Sequence, residues 1–301
     1  MIPEHEAYVE HARGRTWYRV VGEGADGRDP LVCLHGGPGS THNYFALLER
    51  LAEDGRAVVL YDQLGCGRSE RPKGIDWSVR VFLDELAALR EKLGLERIHL
   101  LGTSWGGMLA LEHALAGAAG LTSLVLSSTL ASIDEWVAEA KRLRAELPAG
   151  VVATLDRHEE AGDYDAPEYR AALDVFDDRY VRRGALGRPE LELMKAGLGK
   201  ESYRAMVGPN EWTVTGALRG WDVRDRLGEI AVPALVARGR FDMCTERIAA
   251  TLLSGLRDAR EAVFEESSHM PALEEPERYR EVVGAFLREA ERPVDTAPAT
   301  P

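Results

Sequence analysis

The run Ile98-His99-Leu100-Leu101-Gly102-Thr103-Ser104-Trp105-Gly106-Gly107 decides how the rest of the chain reads. A short strand over residues 98–101 runs into a glycine-rich turn, and an alanine-rich helix follows to about residue 116. The turn carries G-x-S-x-G, the spacing of a serine nucleophile set on a sharp strand-to-helix bend. On such a bend the serine backbone is strained. The neighbours two positions away must be small so that chain segments can approach, hence Gly102 and Gly106. The helix that follows turns its N-terminus toward the serine, which favours negative charge developing there. The five-residue pattern alone is weak, and the strand before it and the helix after it supply the context it requires.

Working outward, the same alternation recurs. Residues 30–34 and 57–61 are short apolar strands, and residues 42–53 are helical in pattern. Val79, Phe82, Leu83, Leu86, Leu89 and Leu93 recur at helical spacing, and Gly94 suits the left-handed stop. Residues 121–127 form a further strand, and residues 7–21 read as a hairpin at a sheet edge. Strands this continuously apolar, alternating with helices, predict an α/β chain with a mostly parallel central sheet and helices on both faces. The alternation breaks over residues 131–222, which are helical and charged. It resumes with a strand at 232–237, a helix from about 246, a strand near 262–264 and a helix from 276 to about 289. Residues 1–130 and 223–290 are thus expected to form two parts of one core, 131–222 a helical lid, and 291–301, rich in Pro, Ala and Thr, a disordered tail. No internal repeat is present, and the oligomeric state stays open.

A serine hydroxyl is a poor nucleophile until a base takes its proton. In this strand order the acid should follow a late strand and the histidine should follow the last one. Asp242 ends the segment ALVARGRFD, and His269 lies in ESSHMP between the last strand and the last helix. Of the eight histidines, His269 alone sits at a late strand end. An oxyanion needs two backbone N–H groups. Trp105 should give one, and the loop His35-Gly36-Gly37-Pro38-Gly39 the other, from Gly37. Glycines in that loop, Gly36 among them, let the backbone approach the substrate. Arg68 and Ser69 read as ordering the loop after the second parallel strand.

The formal charge of −13 disfavours a nucleic-acid partner. No apolar stretch reaches the roughly 18 to 20 residues of a membrane span. Residues 1–10 are charged, without the apolar run of a secretory signal. Cys33, Cys66 and Cys244 show no metal-ligand spacing and read as buried thiols of a cytoplasmic protein. Neither metal nor cofactor is expected.

Taken together, HGGPG, YDQLGCGRSE, GTSWGG, GPNEWTVTG, SSHMP and EEPERY resemble the prolyl iminopeptidase family of α/β-hydrolases, most closely its tricorn-associated branch. The match runs from the N-terminus to about residue 290. The resemblance implies an α/β-hydrolase fold and release of an N-terminal proline or other small or apolar residue from short peptides or aminoacyl amides. It also implies that carboxylates bind the substrate's free ammonium, one of them Glu211 in the GPNE motif. The related branch usually has a second acid after the triad aspartate. Here Asp242 is followed by Met243, which cannot bind an ammonium, and Glu246 opens the next helix. An amidase, esterase or lactonase of the same fold, acting on a specialised small molecule, therefore stays open as the alternative. Trp136 and Trp212 either line an acyl pocket or pack the insertion. A serine in the elbow disfavours dehalogenase and epoxide-hydrolase chemistry, which uses an aspartate there.

Overall fold

The computed structural model describes residues 2–25, 28–117, 119–185 and 187–292. Among the described residues eight strands form one sheet in the order β1-β2-β4-β3-β5-β6-β7-β8. They are β1 (Glu4–His11), β2 (Gly14–Val21), β3 (Leu31–Leu34), β4 (Val58–Tyr61), β5 (Ile98–Thr103), β6 (Leu121–Ser127), β7 (Ala234–Gly239) and β8 (Ala259–Phe264). The strands from β3 to β8 run parallel, whereas β1 and β2 form an antiparallel hairpin that joins the sheet through β4.

Alternation along each buried strand explains the two-sided cover. Val32, Leu34, Val59, Tyr61 and Leu100 face one apolar layer. That layer is completed by α1 (Val79–Leu93), α2 (Trp105–Leu115) and α8 (Glu246–Gly255). Leu31, Cys33, Val58, Leu60 and Leu101 face the other. There they meet α10 (Pro276–Ala290) and residues His42–Asp54, which wind as a 3-10 helix where the sequence pattern predicts an ordinary one. Gly94 ends α1 with φ 63°, as expected, its N–H donating to the Arg90 carbonyl.

Between β6 and β7 stand α3 (Ile133–Ala145), α4 (Ala149–Ala161), α5 (Pro167–Tyr180), α6 (Pro189–Ala196) and α7 (Lys200–Met206). The two ends of this insertion meet at an antiparallel bridge between Ser132 and Asp222.

Several boundaries differ from expectation: the hairpin begins at Glu4 instead of residue 7, and β7 spans Ala234–Gly239 instead of 232–237, since Pro233 has no N–H to give the ladder. β8 begins at Ala259 instead of near 262, because Arg260 and Glu261 on this edge strand are exposed and hide its pattern. The expected tail is corrected at its first residue. The Glu291 side chain is only 8% exposed and is bonded to Arg28, Arg56 and His99, so it belongs to the folded body. Residues 293–301 of that tail lie outside the described residues.

The elbow depends on close backbone approach. A Cβ on Gly106 would overlap the Leu34 carbonyl, and one on Gly102 would overlap the Gly106 carbonyl. We expect Gly106→Ala to cost several kcal/mol, because backbone must move in a closely packed interior. A melting temperature equal to that of the wild type would refute this.

Candidate active site

Ser104 caps α2 with φ 54° and ψ −120°, a strained conformation for a residue with a side chain. Its surroundings hold it there. The Ser104 N–H donates to the Ser127 carbonyl at 3.0 Å. Its carbonyl accepts from Gly107 N–H and from the Thr129 hydroxyl. The first turn of α2 therefore begins at the nucleophile candidate, with the Trp105 N–H at its head.

Asp242 lies three residues beyond β7, and His269 lies on the loop between β8 and α9 (Pro271–Glu274). His269 Nδ1 donates to Asp242 Oδ1 at 2.7 Å, and the Cys244 N–H donates to the same oxygen at 2.8 Å. With Nδ1 used this way, the neutral ring presents Nε2 as an acceptor. Burial would lower the His269 pKa, but the Asp242 charge and hydrogen bond outweigh it, aided by Glu211 and Glu274, so the value is raised. Ser104 and His269 line one cavity of about 340 Å³. Among the described residues no hydrogen bond joins the Ser104 hydroxyl to His269. Such contacts often tighten only when substrate is bound.

The loop after β3 forms another wall. Gly36 packs against the nucleophile: a Cβ there would stand 3.2 Å from the Thr103 carbonyl and 3.3 Å from Ser104 Cβ. The Gly36 N–H donates to the Tyr44 hydroxyl at 2.7 Å, which leaves the Gly37 N–H as the candidate oxyanion donor of this loop. His35 Nδ1 donates to the Gly36 carbonyl at 2.9 Å. Burial holds His35 down at about 4, so its ring is neutral and Nε2 accepts from the Gln63 N–H. The Trp105 side chain turns away from the cavity and is buried.

Opposite these loops, the helical insertion brings Glu211 to the cavity. Its carboxylate accepts from the Tyr203 hydroxyl at 2.6 Å and from Trp136 Nε1 at 3.1 Å. Trp212 also lines the cavity, its Nε1 donating to Glu159 at 2.8 Å. Arg68 and Ser69 do order their loop: Arg68 N–H donates to Asp62, and Ser69 Oγ accepts from the Trp17 N–H. Among the described residues no cluster of His, Cys, Asp or Glu could hold a metal ion, and no helix is long and apolar enough to cross a membrane.

The sequence matches the family model of the alpha/beta hydrolase fold over residues 29–276. A proline iminopeptidase of Clostridium botulinum is 41% identical over 286 residues, spanning 94% of this chain and 97% of that protein. The chain belongs to the proline iminopeptidase family of α/β hydrolases. The crystal structure of the Mycobacterium smegmatis proline iminopeptidase superposes with TM-score 0.86 at 40% identity, covering 95% of this chain and 99% of that one. The crystal structure of VinJ superposes with TM-score 0.91 at 42% identity over the same shares.

Within this member of the family the acid neighbourhood departs from the sequence expectation. Met243 lines the cavity. Glu246 does not: it faces a separate arginine-lined groove on the far side of Asp242. The second carboxylate in the cavity is Asp177 on α5, which sequence reading did not single out. Burial pushes the Asp177 carboxyl up to about 7, the nearby charges of Glu211, Asp174 and Asp178 push the same way, and Arg182 at 3.4 Å opposes them. The segment DVFDDRY reads as an ordinary charged helix, and only the placement of α5 over Ser104 reveals this residue.

Proposed function

We propose that this chain is a serine aminopeptidase that releases an N-terminal proline, or another small or apolar L-residue, from short peptides or aminoacyl amides. The observation that carries the reading is that Ser104, His269, Glu211 and Asp177 all line one cavity. A desolvated ammonium requires charged partners, and two carboxylates at a fixed distance from a nucleophile admit a substrate by its free amine. Asp177 takes the place of the acid that Met243 lacks. The insertion over residues 131–222 serves as the lid that brings both acids down onto the site.

In this mechanism Ser104 Oγ attacks the substrate carbonyl carbon and passes its proton to His269 Nε2. Asp242 holds the ring and stabilises its charged form. The Gly37 and Trp105 N–H groups hold the oxyanion, and Gly36 leaves room for the acyl group beside Ser104. Collapse breaks the C–N bond, and the departing amine takes the proton from His269. Water then attacks the acyl-enzyme by the same route and regenerates the hydroxyl. The three free, buried cysteines fit a cytoplasmic enzyme. An esterase or lactonase on the same fold is the disfavoured alternative, because two carboxylates beside the nucleophile serve neither substrate.

The test is a matched pair, L-prolyl arylamide and its N-acetylated form. We expect cleavage of the free amine alone. Glu211→Gln should raise KM for it by roughly 10- to 100-fold, the worth of a hydrogen bond to a charged group. Faster cleavage of the acetylated member, or no effect of Glu211→Gln, would sink the reading.

A further inference from the structure

Gln63 is fully buried just beyond β4 and does not line the cavity. Its side-chain amide is used at both ends. Oε1 accepts from Trp105 Nε1 at 2.8 Å, and Nε2 donates to the His35 carbonyl at 2.8 Å. Its main-chain N–H donates to His35 Nε2 at 2.9 Å. The opposite edge of that imidazole donates to the Gly36 carbonyl. The Gly36 carbonyl and the Gly37 N–H belong to one planar trans peptide and point in opposite directions. Holding the carbonyl on His35 therefore fixes the direction of the Gly37 N–H. At the other end, Trp105 carries the second N–H on the residue next to Ser104, and Gln63 anchors its indole.

We propose that Gln63 is a positioning residue that sets the separation and aim of the two oxyanion donors, Gly37 and Trp105. The two donors come from different loops, one after β3 and one after β5, and one amide side chain spans both. An oxyanion hole works only when its donors are already in place, since reorganising them during the reaction forfeits the gain. The residue type follows from the partners: a carbonyl on one side demands a donor, and an indole N–H on the other demands an acceptor, which a primary amide supplies together. The main chain of Gln63 is held independently, with the Leu64 N–H donating to Glu85 at 2.8 Å and Asp62 accepting from His42 at 2.7 Å. Changing the Gln63 side chain therefore leaves its loop anchored.

This inference rests on the serine-hydrolase reading above, so its test uses a readout that needs no aminoacyl substrate. A fluorophosphonate labels an activated serine through an oxyanion-stabilised step, in which the Oγ–P bond forms as fluoride leaves. We expect Gln63→Met to slow labelling of Ser104 roughly 100-fold. The prolyl arylamide kcat should fall in parallel, with KM within about twofold. Trp105→Phe, which removes the indole donor together with part of the buried ring, leaves the Gln63 bond to His35 in place and should lower the labelling rate by a smaller factor. Gln63→Met should then cost less in that background than in the wild type, because the two residues share one contact. A labelling rate for Gln63→Met within threefold of wild type, or equal losses in kcat and ground-state affinity, would overturn the proposal. If Gln63→Met does not fold, Trp105→Phe decides alone, and an unchanged labelling rate there overturns it. A wild type that labels at Ser104 yet ignores prolyl arylamide refutes the substrate reading and leaves the labelling test of Gln63 intact.

Discussion

Replacing Ser104 by alanine should lower kcat/KM for the prolyl arylamide by about 10⁶-fold, the order of loss seen when a triad serine is removed. The fold should persist. The strain at Ser104 lies in the backbone, with φ 54°, and alanine inherits it without adding an atom. The bonds that hold the elbow use the Ser104 N–H and carbonyl, both of which survive the change. Matching circular dichroism and melting temperature, with activity at background, is the expected result; activity within tenfold of wild type would refute the assignment of the nucleophile. Asp242→Asn gives a companion test with a sign. The His269 pKa is raised above its ordinary 6.5 because Asp242 overcomes the opposing effect of burial. A base works unprotonated, so kcat/KM should fall as pH drops through that raised value. Without the carboxylate, burial acts with less opposition, and the acid limb should move to lower pH while activity drops by about 10⁴-fold. A limb that stays in place would show that His269 is not the titrating base.

The core of this arrangement is legible in the sequence because it is local. Ser104 follows a strand and opens a helix within ten residues, and Asp242 and His269 each follow a strand whose apolar run announces it. Patterns that depend on exposure read less well. β8 carries Arg260 and Glu261 at its edge, so its first half lacks an apolar signal. The 3-10 winding of residues 42–54 buries Tyr44, Phe45, Leu48 and Leu51 at a spacing that an α-helix shares. Long-range contacts read least well. Asp177 and Glu211 stand 34 positions apart and meet only because α5 and the loop after α7 face the same cavity. Gln63 sits inside the recognised DQLGCGRS motif, but its partners His35 and Trp105 lie on either side of it in the chain. Composition places Glu291 in the tail, since nothing local marks it as the partner of Arg56.

That misplaced residue yields the largest effect expected on stability. Glu291 Oε1 accepts from Arg56 at 2.7 Å, from the Asp29 N–H at 2.9 Å and from His99 at 3.2 Å. Oε2 accepts from Arg28 at 2.9 Å and from Arg56 at 3.1 Å. Arg56 is only 1% exposed, so removing its partner strands a buried guanidinium. Glu291→Ala should therefore destabilise the protein by about 3–5 kcal/mol, lowering Tm by on the order of 10 °C. Acid should reproduce the loss. Burial alone would raise the Glu291 pKa, but Arg56, Arg28 and His99 hold it at about 2, below the ordinary 4.5. A depressed carboxyl stabilises above its unfolded value, and that contribution drains away between pH 4.5 and 2. His99 adds in the same direction: burial, with the charge of Arg56, holds it at about 4, so the unfolded chain takes up its proton first as pH falls from 6.5. Urea unfolding of the wild type should weaken across this whole window, and Glu291→Ala should flatten the part below pH 4.5. Equal midpoints for wild type and variant at pH 7 would show that Arg56 finds another partner and that the C-terminal end of α10 is not anchored through this carboxylate. Restoration of stability by pairing Glu291→Leu with Arg56→Leu would instead locate the cost in the stranded charge, since a buried ion pair replaced by apolar side chains of similar size is often neutral.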